Sequence, residues 1–443
     1  MTKIIKLLLV TTAITQIAYA AVAPKANSAL YPALCHLVQL GEDAAKIPKT
    51  ETVNETPYRQ LQMLNTSLSS KKWREQFNKT KPGDKRPQEP PPTHRQDQEW
   101  TDFWSDWAQA EADIEAAGGE DKILQKAHIK GADSTAKANL QRLLQPILLA
   151  SKTLLGKAPS APPPEGAKAS EKITDLLQEA IYGSKGATAG TIKAADMGGT
   201  GAPQSTTLVC GAASTTGTAS CIAALMFCIC GKTDASTPVA GPCLATTEFT
   251  TTQMSASFAN IQQLFPGYIK GCQKRPEKPI TSDEIARALQ SLTSQATIGN
   301  TETVLGKYDR TDCQGSSDNG QCVLYSGDIQ TAAKAMASSK WHSKLTEAAA
   351  KLALLEKANR EMEMINKLLQ KEEETGFRLA LASRLHADPA QQTANMAPPK
   401  QDTTKPARSQ KECDKHHDSP SDCDAKDFCT YDKTESTDKK VQV

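Results

Sequence analysis

Aromatic residues make up only 5% of the 443-residue chain. That is thin for a β-sandwich or barrel core, whereas the plentiful Ala, Thr, Lys, Glu and Gln suit long solvent-bathed helices. Neither sign of charge is in excess: Lys+Arg is 52 and Asp+Glu is 50, a net charge of +2. A nucleic-acid footprint needs a basic surplus on one face, and the near balance argues against that class. After residue 20 there is no run of 18 apolar residues, so nothing there spans a bilayer as a helix. The chain has only 7 histidines. None has a nearby Asp and nucleophile in a strand–turn context. There is no phosphate-binding glycine loop and no H-E-x-x-H. The Gly/Ser/Thr stretch 183–218 lacks the Gly-Lys-Ser/Thr sequence leading into a helix that a nucleotide loop requires. An enzyme has no support, and no cofactor is implied.

What is present begins with an export signal. Lys3 and Lys6 form a positive n-region, Leu7 to Val10 lead an apolar run through Ile17, and Ala18-Tyr19-Ala20 is a small-x-small cleavage site. The mature chain is expected to start at Ala21. It then folds where disulfides persist, so the 12 cysteines are read first as disulfides.

The length suits a large domain followed by a small one. The expected divisions are a signal peptide at 1–20, a helical domain at 21–386, a flexible linker at 387–410 and a cysteine-rich tail domain at 411–443. Residues 28–46 show helical spacing at Leu30, Leu34, Leu37 and Val38. Residues 48–92 read as polar and irregular, ending in Pro90-Pro91-Pro92. Trp100, Trp104 and Trp107 fall on one helical face, and such a stripe reads as core rather than as a sugar platform. Helical periodicity continues to about Leu155, with Gly118-Gly119 and Gly131 as weak points. Pro162-Pro163-Pro164 breaks it, and a short amphipathic helix follows from Ile173 to Tyr182.

Residues 183–218 read as loop. They lead into a lobe holding Cys210, Cys221, Cys228, Cys230, Cys243 and Cys272. The apolar run from Cys221 to Cys230 is too short to span a membrane and reads as lobe core. Six cysteines allow 15 pairings, so connectivity there stays open. Cys228-Ile-Cys230 lacks the spacing and βαβ context of a redox motif, and two structural half-cystines are expected. Each bridge is worth about 2–4 kcal/mol. A helix is expected from about Ser282 to Thr297, capped by Thr281 or Ser282. Cys313 and Cys322 flank a tight loop with an Asn319-Gly320 turn and are expected to pair. Cys35 and the six lobe cysteines then leave an odd one, free or unexpectedly paired.

The strongest periodic signal is 341–386. Its a positions are Leu345, Leu352, Asn359 and Asn366; its d positions are Ala348, Leu355, Met362 and Leu369. This is a helix with one narrow seam that wants a partner helix, and Asn at two a positions helps fix register. Pro389, Pro398, Pro399 and Pro406 mark the linker beyond. The tail carries Cys413, His416-His417, Cys423 and Cys429. A zinc knuckle is the lesser reading, because Cys423-x5-Cys429 is not a paired C-x2-C and an exported thiol oxidises. Asn54, Asn65 and Asn78 each head an N-x-Ser/Thr sequon, with Pro57 weakening the first.

A signal, a helix with Ala33-Leu34-Cys35, a W-x-x-x-W-x-x-W helix, a cysteine-rich middle, a coiled-coil return helix, a Pro/Lys linker and the Glu412-Cys413 tail occur in order. In this order they resemble a trypanosome variant surface glycoprotein, of the group often called class B. The resemblance covers nearly the whole chain. It implies a mainly α, elongated domain built on two long antiparallel helices, paired as a homodimer. The cysteine-rich segment would be a membrane-distal lobe, and the tail a small disulfide-bonded domain beneath. A glycosylphosphatidylinositol anchor would hold the molecule in the outer leaflet of the plasma membrane. A dense coat would shield the cell from host antibodies, and switching between members would evade immunity. The family's last cysteine, small-residue anchor site and apolar end do not follow Cys429. A truncated product, a partial read or a pseudogene product is therefore expected, or a secreted protein if the chain ends at Val443. The competing readings are a nutrient receptor on the same scaffold, an exported helical adhesin and, more distantly, a hydrolase.

Overall fold

The computed structural model of the protein describes residues 21–78, 86–158, 166–212, 215–309, 312–387, 430–431 and 441–442. The signal segment, the linker and Cys413, Cys423 and Cys429 lie outside the described residues.

The described chain is mainly helical. In order, its α-helices are α1 (Leu30–Glu42), α2 (Thr56–Leu68), α3 (Lys71–Arg74), α4 (Gln98–Ala116), α5 (Glu120–Lys126), α6 (Ser134–Lys157), α7 (Ala169–Tyr182), α8 (Thr206–Cys210), α9 (Ile222–Cys230), α10 (Thr247–Thr250), α11 (Ile261–Ile269), α12 (Ser282–Thr293), α13 (Ile329–Ser338) and α14 (Lys340–Ala387). Strands β1 (Thr297–Ile298), β2 (Glu302–Tyr308) and β3 (Gly320–Ser326) form one antiparallel sheet in that order. A two-residue pair, β4 (Thr430–Tyr431) and β5 (Val441–Gln442), is also antiparallel. The chain divides into two compact units, Met1–Asn54 with Leu155–Lys367 and Glu55–Leu154 with Leu368–Val443.

The first unit is organised around α9. All nine of its residues are buried. Full burial of a large apolar side chain contributes about 1.5–3 kcal/mol, so Ile222, Leu225, Met226, Phe227 and Ile229 make this helix the main apolar anchor. Helices α1, α7 and α8 and strand β3 pack on it. Helix α1 buries Leu30, Leu34, Leu37 and Val38, the face that its spacing predicts. In α12 the Thr281 hydroxyl accepts from the Glu284 N–H, which fixes the start, and the helix ends at Thr293, four residues short of expectation.

The sheet is a departure from an all-helical reading. Strand β3 is buried at six of seven positions, so it shows no inside–outside alternation by which sequence would reveal it. Gly306 in β2 sits opposite Cys322 with φ +108, and a Cβ there would lie 2.5 Å from the Gln321 carbonyl oxygen. Only glycine fits that crossing.

Along α14, Leu345, Ala348, Leu352 and Leu355 join the core of the first unit, and Met362 is buried. The two seam asparagines bond the chain's own backbone. The Asn359 Oδ1 accepts from Glu51 N–H at 2.9 Å, and its Nδ2 donates to the Lys49 carbonyl at 2.8 Å. Asn366 repeats this with Asn54 N–H at 2.7 Å and the Thr52 carbonyl at 3.1 Å. Seven helical residues rise about 10.5 Å. Three residues of extended backbone span about 10 Å, so the two registers match. These amides act as a surrogate strand for residues 49–54. Asn359→Ala should lower unfolding stability by about 1–2 kcal/mol, and Asn366→Ala should add to it. Urea midpoints unchanged in the double variant would show that the ladder is idle.

Residues 48–92 are not irregular throughout: α2 and α3 lie there, in the second unit. Leu61, Leu64 and Leu68 of α2 are buried, but so are Gln62, Asn65, Thr66 and Ser67, which dilute the apolar pattern. Of these, Gln62 Nε2 donates to the Tyr58 hydroxyl at 2.7 Å within the helix, while Asn65 and the following Ser69 meet α6. Gln145 Nε2 lies 3.4 Å from Asn65 Oδ1, and Gln141 Nε2 donates to Ser69 Oγ at 2.8 Å. Further along, Asp106 accepts from Tyr58 and pairs with Lys152, both at 2.7 Å. On α4, Trp104 and Trp107 are buried with Phe77, while Trp73, Trp100 and Phe103 close the cluster from outside. The tryptophan stripe is core, as its spacing predicts. Leu369 of α14 is buried in this unit. At Gly376 an added Cβ would meet Leu61 Cδ2 at 2.4 Å, which marks a close approach of α14 to α2.

Candidate functional site

The cysteine-bearing core of the first unit is where the sequence concentrates unusual chemistry. Its four disulfides join Cys35 to Cys272, Cys210 to Cys228, Cys230 to Cys243, and Cys313 to Cys322. Cys210 closes α8 onto α9, and Cys230 fastens the end of α9 to the following loop. Cys228 and Cys230 thus have different partners and form no redox pair. The odd cysteine is Cys221, at the N-cap of α9, buried and free. Burial pushes its thiol up to about 12, so it stays protonated and unreactive at neutral pH.

A wholly apolar helix buries its C-terminal carbonyls, and these need donors. Two side-chain amides that carry no local sequence signal supply them. Asn27, only 2% exposed, donates to the Ile229 carbonyl at 2.7 Å and the Gln321 carbonyl at 2.6 Å, and accepts from Lys307 N–H at 2.8 Å. Gln321 Nε2 donates to the Cys228 carbonyl at 2.9 Å and the Gly231 carbonyl at 2.8 Å. Together they join the N-terminal segment, α9, β2 and β3. The one hint in the sequence is the carbonyl end of an all-apolar helix, which requires an amide donor without saying which one.

A second polar node surrounds Arg275, whose side chain is 3% exposed. It grips Glu284 through Nε at 2.9 Å and Nη2 at 2.7 Å, and Asp43 through Nη1 at 2.7 Å. The Arg275 guanidinium holds the Glu284 carboxyl below its usual range. Lys46 pairs with Asp43 at 3.0 Å and with Glu277 at 2.9 Å. His36 Nε2 lies 3.6 Å from Glu284 Oε1. The node ties α1 to α12 at the edge of a cleft of about 400 Å³ lined by Cys35, His36, Lys274, Arg275 and Glu284.

The sequons fall in three settings. Asn65 is 3% exposed inside α2 and bonds Gln145, so the fold has no room for a glycan there, contrary to the expectation from its sequon. Asn54 is exposed and its backbone N–H is held by Asn366. Asn78 is exposed directly after the 3-10 turn Glu75–Phe77. Among the described residues no group of three or more His, Cys, Asp or Glu is placed to hold a metal ion. Among them, too, no helix is long and apolar enough to cross a membrane.

This architecture defines a class: a mainly helical protein with a long helix over Lys340–Ala387 and a core stapled by disulfides. A sequence model of the family described as "Trypanosomal VSG domain" matches residues 7–371, and the chain belongs to that family, whose members are non-enzymatic coat proteins. It is similar to the variant surface glycoprotein ILTAT 1.23 of Trypanosoma brucei brucei. The two are 26% identical over 445 aligned residues, 95% of this chain and 79% of that protein.

Proposed function

We propose that the protein is a variant surface coat glycoprotein, anchored by glycosylphosphatidylinositol and packed as homodimers into a monolayer that shields the cell from host antibodies. The observation that carries this reading is the family match across residues 7–371. The physical design supports it. Four cross-links and an apolar central helix hold the lobe core and lighten the stability role of its exposed loop residues. Loop residues with a lighter stability role can change at little cost, which a varying antigen requires. In this reading Asn78 and Asn54 are the glycan acceptors. Cys413, Cys423 and Cys429 belong to a small disulfide-bonded domain near the membrane.

In cells carrying the complete gene, antibodies raised against the folded lobe should label the intact surface. A phosphatidylinositol-specific phospholipase should then release the protein, and the released form should sediment at twice the mass of one chain. Recovery only from the medium, or a surface signal that resists the lipase, would overturn the anchored coat. A serum component bound in stoichiometric amount would favour the receptor reading instead.

A further inference from the structure

The four disulfides are not equally placed. Cys210, Cys228, Cys230, Cys243, Cys313 and Cys322 are all 0% exposed. A thiol reaches those three bonds only after the core opens. Cys35 is 6% exposed and lines the cleft beside Arg275; Cys272 is partly exposed between exposed Gly271 and Lys274. The cleft, about 400 Å³, has the size of a small-molecule site. Thiol–disulfide exchange is governed by access and by stabilisation of the thiolate that leaves. Lys274 and His36 line the same cleft, and the charge of Glu284 is already taken up by Arg275.

We propose that Cys35–Cys272 is a thiol-exchange site, open in the folded protein to small dithiols, while the other three disulfides are closed to them. The step balances as follows. A thiolate of the dithiol forms a bond to one cystine sulfur as the Cys35–Cys272 bond breaks. The leaving sulfur departs with the electron pair and takes a proton. The second thiolate of the dithiol then displaces the remaining protein sulfur. The dithiol ends as a cyclic disulfide, oxidised by two electrons, and the protein holds two new thiols.

This bond ties α1 to the segment after α11 and closes the longest loop of the four, with 237 residues of separation. Its loss need not dissolve the core, because Leu34, Leu37 and Val38 of α1 stay packed without it. Reduction would therefore release one clasp from an otherwise intact unit.

Cys221 supplies an internal control. It is a buried free thiol that alkylates only when the core opens. The experiment treats the native, full-length protein with graded dithiothreitol, alkylates the thiols formed and maps the labelled peptides by mass. Cys35 and Cys272 should label at least about ten-fold faster than the six buried half-cystines, with Cys221 still unlabelled. The proposal is overturned if any of the other three core disulfides labels first, or if Cys221 labels in step with Cys35, since exchange would then require unfolding.

Discussion

Asn27→Leu should lower the stability of the first unit by about 3–5 kcal/mol, the sum expected when two buried carbonyls and one partly buried N–H lose their partner at about 1–3 kcal/mol each and partly relax. Leucine is no smaller than asparagine, so little of the loss would come from a cavity. The orphaned groups would be the Ile229 and Gln321 carbonyls and the Lys307 N–H. Solvent has poor access to replace the lost partner, because α9 and β3 are buried along almost their whole length. Asn27→Asp is a sharper test. It keeps an acceptor for Lys307 but points a carboxylate at two carbonyls, and should be at least as damaging at neutral pH. Urea unfolding followed by tryptophan fluorescence reads the effect, since Trp341 lies in this core. A loss below about 1 kcal/mol for Asn27→Leu would mean that the three groups find other partners.

The contrast between Asn27 and the long helix shows which parts of the fold sequence can reveal. Helices α1, α4 and α14 repeat their apolar residues at helical spacing over several turns, so their faces are legible from residue order alone. The return helix runs Lys340–Ala387 against an expectation of 341–386. The apolar run at Ile222–Cys230 is legible as core because no polar residue interrupts it. Strand β3 is not legible because it is covered on both faces and has no period to show, and β2 buries the consecutive Thr303, Val304 and Leu305, which also breaks any alternation. Helix α2 is hidden for another reason: its buried face mixes Leu61 and Leu64 with Gln62 and Asn65. Asn359 and Asn366 stand out in the sequence as polar interruptions of a seam. What they specify is the register of residues 49–54 on their own chain, a partner about 300 residues away that local pattern cannot name. Asn27 and Gln321 lie deeper in the same blind spot: their importance comes from where α9 ends in space.

Arg275→Met should be about as costly, roughly 3–5 kcal/mol at pH 7, because it strips the shared cation from two carboxylates that remain partly buried. Asp43 and Glu284 would then face each other across the vacated guanidinium site, with side chains only 18% and 12% exposed. The pH dependence separates this cause from lost packing. In the native protein Glu284 is held below its ordinary range, chiefly by its hydrogen bonds from Arg275. Its contribution is therefore present above the unfolded carboxylate range, about 4.3, and is lost as pH falls through the lower folded value. In the methionine variant the repelled carboxylates bind protons more readily than in the unfolded chain. That variant regains stability as pH falls while the native protein begins to lose it. The difference between the two should accordingly narrow from pH 7 to about pH 4. Lys46, 3.0 Å from Asp43, offsets part of the charge on that carboxylate and so limits the deficit at neutral pH. Arg275→Lys should fall between the two, since one ammonium cannot reproduce the fork that spans both acids. Paired urea titrations at pH 7 and pH 4 decide the matter. A deficit that is the same at both would assign the role of Arg275 to the packing of its stem, and not to its charge.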